Sequence, residues 1–126
     1  MSAALSSKGP PAALVRAARD GALEVVVSPL LLNEVRDVLR RPRFRRFLSV
    51  NEVDALITEL GRICRVELDP ETGPAVLRDR KDDYLVYLSR QVAVEYIVSG
   101  DADLTDANLD PPALTPRQAI ERFGLS

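Results

Sequence analysis

The chain has 126 residues, a formal net charge of -2, 46% hydrophobic and 29% charged residues. That balance suits one globular domain over residues 1–126 with a real core, and gives no global pull toward nucleic acid or an anionic membrane. There is no histidine and a single cysteine, Cys64. This excludes an intramolecular disulfide, a Ser-His-Asp triad, a Cys-His pair and a zinc-imidazole site. A reducing cytoplasm fits such cysteine usage, and no apolar run is long enough to span a bilayer.

In chain order, "KGPP" at residues 8–11 interrupts whatever precedes it. "AALVRAARDG" reads as a short helix, with Ala13, Leu14, Ala17 and Ala18 at helical spacing and Gly21 just past its end. "LEVVVS" is a β-branched run of strand length that leads directly into "SPLLLNEVRDVLRR". There Ser28 is a good N-cap, Pro29 sits at the first helical position, and Pro42 predicts a stop near Arg41. In "LSVNEVDALITEL", Ser49 and Glu52 form a capping box, and Val53, Leu56, Ile57 and Leu60 share an apolar face. "CRVEL" predicts a short strand and "DPETGPAV" a loop. "DRKDDYLVYLSRQV" predicts a helix with acids at its start, and "EYIVSG" a strand. "PALTP" is a short strand or turn, and "PRQAIERFG" a last helix ending at Gly124. Strands alternating with helices predict an α/β fold of three layers, a central parallel sheet flanked by helices.

In such sheets ligands sit outside the carboxyl ends of the strands. Asp101 follows the "EYIVSG" strand, and Glu34 lies in the second turn of the helix after "LEVVVS". Glu34 also falls between Leu31 and Val38 in the apolar column of its helix. A carboxylate there must be paired, snorkel to water or hold a cation; Arg36 and Arg40 are candidate partners. Asp82 and Asp83 open the helix before "EYIVSG", where they cap the helix or join the other acids. Asp101 and Asp103 make an Asx turn or a ligand pair, whereas Asp106 and Asp110 read as loop acids. If these groups converge, hard oxygen ligands without His or Cys select Mg²⁺ or Mn²⁺. Such an ion suits phosphodiester cleavage.

The most polarised stretch is "RRPRFRR", with Arg40, Arg41, Arg43, Arg45 and Arg46 around Phe44. It is either a solvated helix end or a patch for nucleic-acid phosphates.

Three segments, "DGALEVVVSPLLLNEVRDVLRRPRF", "DRKDDYLVYLSRQVAVEYIVSGDADL" and "ALTPRQAIE", together resemble the PIN-domain family, in particular bacterial toxin components of toxin–antitoxin systems. The resemblance runs from about Ser2 to Glu121. It implies a ribonuclease with an acid cluster for Mg²⁺ or Mn²⁺, RNA and a cognate antitoxin as partners, a homodimer and no membrane. By the same resemblance Glu34, Asp83 and Asp101 are catalytic, Asp82 is the close alternative to Asp83, Asp103 assists at the metal, and Ser99 supports the site. Family members open with a central strand ending in "DTN", which supplies the first acid. Here Ser2, Ala3, Ala4 and Leu5 match the segment just after that motif, and no acid precedes Asp20. The expectation is a shortened domain whose first central strand is missing, with little or no nuclease activity. The alternative function is an inactive remnant that binds RNA or an antitoxin through the arginine run.

Overall fold

Short apolar runs build the sheet and set the frame for everything else. In the computed structural model, which describes residues 1–5 and 12–125, the strands are β1 (Ser2–Leu5), β2 (Glu24–Val27), β3 (Arg65–Val66), β4 (Tyr96–Val98) and β5 (Ala113–Leu114). The helices are α1 (Ala12–Arg19), α2 (Pro29–Leu39), α3 (Val50–Ile63), α4 (Asp83–Val92), α5 (Ala102–Thr105) and α6 (Pro116–Phe123). The predicted break at residues 8–11 lies outside the described residues. All strand pairs are parallel, in the order β3-β2-β1-β4-β5. Parallel strands covered on both faces need apolar side chains at nearly every position. Accordingly Ala3, Ala4, Val25, Val26, Ile97 and Val98 are all buried.

The sheet has no gap at its centre, which corrects the expectation of a missing central strand. Residues 2–5 fill that place as β1. Ala3 stands opposite Val25 of β2 on one side and Tyr96 of β4 on the other. Alanine is a modest strand former, but position overrides propensity here. A central strand pairs its backbone on both sides, and α4 packs against both β1 and β4. Small side chains at Ala3 and Ala4, both 0% exposed, fit that sandwiched place.

Local signals set the other elements. Ser28 caps α2, its side chain accepting from the Leu31 N–H, with Pro29 opening the helix. The Ser49–Glu52 capping box starts α3, and an unpredicted Thr115–Gln118 box starts α6. Gly124 ends α6 at φ 68°, a left-handed position glycine takes freely. Ala93 closes α4 in the same conformation, at φ 60°, and is the only described non-glycine residue there. The edge strand β3 is held by Arg65, which binds Glu67 at 2.6 Å and Glu24 of β2 at 3.1 Å.

The topology chooses the site. The chain steps outward from β1 to β2 to β3, then crosses back to β4 on the other side of β1 and on to β5. The order reverses between β1 and β4, and the crevice outside the carboxyl ends at such a switch point is where ligands sit.

Candidate functional site

Four segments bring acids to that end of the sheet. After β2, α2 carries Glu34, half-buried, in its second turn. Neither Arg36 nor Arg40 pairs with it. Arg40 binds Asp54 at 2.5 Å, and the Nε of Arg36 is buried without a hydrogen-bond partner. Glu34 instead accepts a 2.9 Å hydrogen bond from the phenol of Tyr84 on α4. That bond explains how a carboxylate occupies the apolar column: a buried hydroxyl meets it. Tyr84 is 6% exposed. Burial, and then the hydrogen bond and charge of Glu34, hold its phenol protonated well above the usual tyrosine range.

Asp82 and Asp83 are adjacent and behave oppositely. Asp83 is 3% exposed. Its carboxylate accepts from the Leu77 N–H at 2.8 Å and the Val76 N–H at 3.2 Å, with Arg80 Nε at 3.8 Å. It therefore anchors the incoming loop. Asp82 makes no side-chain capping bond. Its pKa is raised, first by burial, then by the charges of Glu34, Asp101 and Asp79, while Lys81 opposes the shift. Asp82 is thus the acid that feels both Glu34 and Asp101.

Beyond β4, Ser99 is 1% exposed, and its hydroxyl accepts the Asp101 N–H at 3.0 Å. Asp101 in turn caps α5, accepting the Asp103 N–H at 2.9 Å. This is the Asx turn of the sequence analysis, built on a partly buried acid. Asp103 sits in the first turn of α5, and Asp106 and Asp110 are exposed. The central strand β1, Ser-Ala-Ala-Leu, contributes no acid.

Two acids escaped the sequence reading. Asp69, in the loop after β3, accepts the Leu30 N–H at 2.9 Å and so caps α2 from 39 residues away. Asp79 caps the 3-10 turn Arg80–Asp82 and adds to the charge around Asp82. Nothing periodic marks either one; a loop aspartate that caps a distant helix leaves no local signature.

The donor types suit Mg²⁺ or Mn²⁺, being carboxylate oxygens throughout. Their placement does not. Among the described residues no group of three acids or cysteines is arranged to hold an ion. Glu34 is engaged by Tyr84, Asp83 by backbone and Asp101 by the turn it caps. The residues as placed do not form a coordination shell.

The arginine run forms the connection from α2 to α3, including a 3-10 turn at Pro42–Phe44. Arg40, Arg41, Arg43, Arg45 and Arg46 are all exposed. Arg40 is committed to Asp54, and Arg45 donates to the Arg40 carbonyl at 3.4 Å. Arg41, Arg43 and Arg46 have no acidic partner among the described residues. The lone thiol, Cys64, is buried and pushed up to about 11 by that burial, so it is an inert small apolar residue. No described helix is long and apolar enough to cross a membrane.

A profile of the PIN domain matches residues 1–103, short of the Glu121 limit read from the sequence and leaving β5 and α6 outside. No curated protein matches the chain. PIN domains are nuclease-type proteins that bind RNA and in general use divalent metal ions. With a five-stranded parallel sheet, acids past the ends of β2 and β4, and a match over most of its length, the chain belongs to the PIN-domain family.

Proposed function

We propose that the chain is a ribonuclease-type toxin component whose substrate phosphate sits over Glu34, Asp82 and Asp101, with Mg²⁺ or Mn²⁺ as its ion and a cognate antitoxin as its inhibitor. The observation that carries this reading is the placement of the acids. Glu34 and Asp101 follow β2 and β4, the two strands flanking β1, and Asp82 is charged against both. In this reading Asp82 takes the role that resemblance gives to Asp83, because Asp83 is spent on the backbone. Ser99 and Asp103 hold Asp101 in its turn. A homodimer and a cytoplasmic location belong to the same reading, as does a single domain over residues 1–126.

No catalytic step is assigned to the ion, because the acids do not surround one and β1 offers none. Cleavage by this chain is accordingly weak, and RNA binding is its stronger activity. The second reading, a binder without cleavage, is favoured by Arg41, Arg43 and Arg46, which are exposed and have no acidic partner among the described residues. The test is incubation of a mixed RNA pool with Mn²⁺, Mg²⁺ or chelator, beside Asp101→Asn. Slow cleavage confined to the metal lanes and absent in the variant supports the nuclease. Cleavage that survives both chelator and Asp101→Asn removes the acid pocket from the reaction. Retention of RNA with no cleavage at all selects the binder. Growth arrest on expression in a bacterium, relieved by Asp101→Asn, tests the toxin role.

A further inference from the structure

The connection between α2 and α3 carries a feature that charge alone does not explain. Phe47 is 70% exposed, a cost for an aromatic ring left largely in water. The Arg46 guanidinium lies 5.3 Å from its centroid, and Arg43 lies 4.8 Å from that of Phe44. Two arginine–phenylalanine pairs therefore stand three residues apart. The backbone between them is wound with i to i+3 bonds, from Phe44 N–H to the Arg41 carbonyl and from Phe47 N–H to the Phe44 carbonyl, both 2.9 Å. In 3-10 geometry residues three apart come to one side, about 6 Å along the axis.

Such a group has the parts of a base-binding site. An exposed ring backed by a guanidinium offers a π-face to any base, and exposed arginines without an acidic partner beside it can hold the flanking phosphates. We propose that residues 41–47 form a base-stacking site, in which Phe47, supported by Arg46, takes one unpaired base and Arg41 and Arg43 take phosphates. This rests on the reading of the chain as RNA-directed, and it deepens that reading by locating a hold on the strand apart from the acids. Arg40, which the sequence reading placed among the phosphate contacts, is excluded by its bond to Asp54. An anionic membrane is a poorer fit, since one exposed ring buries too little apolar area to anchor a surface segment.

The experiment is binding of the full chain to a fluorescent single-stranded oligouridylate, the matching duplex RNA and anionic phospholipid vesicles, all in chelator. The variants are Phe47→Ala, Phe47→Tyr and the triple change of Arg41, Arg43 and Arg46 to Ala. Since Phe47 is largely exposed and outside the core, Phe47→Ala keeps the fold, which circular dichroism checks. The expected result is tighter binding of the single strand than of the duplex, roughly tenfold weaker in Phe47→Ala and restored by Phe47→Tyr. The triple variant, which removes both phosphate contacts, lowers the salt slope of single-strand binding by about 1.4. Single-strand binding that Phe47→Ala leaves unchanged overturns the stacking site while the RNA reading stands. No RNA binding by the parent chain, or binding to vesicles in its place, overturns both.

Discussion

The acidic end of the sheet and the arginine turn are two charged regions handled in opposite ways. At the acidic end nearly every carboxylate is occupied by the fold. Glu34 holds a phenol, Asp83 two backbone N–H groups, Asp101 its own turn and Asp69 a helix start. Asp82 is the exception, and its pKa is raised by burial first and then by the charges of Glu34 and Asp101. In the arginine turn the reverse holds: cations and a phenylalanine face water with little to bind. The difference teaches that a conspicuous cluster of like charges can be largely committed to architecture, while a second charged segment of the same chain is left facing water.

Breaking the comparison starts with Asp83. Asp83→Ala strands two backbone N–H groups in the interior and is expected to cost about 3 kcal/mol in denaturant unfolding. Asp82→Asn, one residue away, is expected to be neutral or slightly stabilising at pH 7. Equal losses at the two positions would erase the distinction drawn between them. Tyr84→Phe is next, at about 2 kcal/mol, because it removes a buried hydroxyl that donates to a carboxylate. A loss near zero would show that Glu34 is satisfied by water.

A smaller effect is the pH dependence. Asp82 has a folded pKa above the ordinary 3.8, so across the window from 3.8 upward to that raised value the folded chain binds more protons than the unfolded one. Stability from this group is present at the acid end and declines as pH rises through the window. Unfolding of the parent chain and Asp82→Asn across that range should therefore diverge, with the parent losing ground as pH increases. A constant difference would show that burial and the neighbouring acids do not raise the Asp82 pKa in the folded chain. The smallest expected change is Ala93→Gly, which relieves a left-handed alanine and should raise stability by about 1 kcal/mol, seen as an upward shift in Tm.

Much of the fold was legible because its signals are local. Ser28 with Pro29, Ser49 with Glu52 and Gly124 each announce a helix end within a few residues. The β-branched run of β2 announces a strand. What was not legible depends on distant neighbours. Residues 2–5 look like no strand, and become one because β2 and β4 present edges on both sides. At the site, Glu34 and Asp101 were found from their position relative to strand ends. The partner of Glu34 was not, since Tyr84 lies 50 residues further on. The choice between Asp82 and Asp83 needed the loop that packs over Asp83, which a helix-start pattern cannot show.

The place of β1 also has a consequence for how the chain is made. The hydroxyl of Ser2 accepts the Glu95 N–H across 93 residues of sequence, and β1 pairs with β4 in that same neighbourhood. The central strand therefore leaves the ribosome well before β4, one of its two flanking strands. At about 5–20 residues per second that interval is of the order of ten seconds. Through it β1 can pair with β2 on one side only, with β3 added beyond β2. The half-sheet exposes an apolar, unpaired edge to the crowded cell until β4 arrives, which is where a chaperone would have its longest opportunity on this chain.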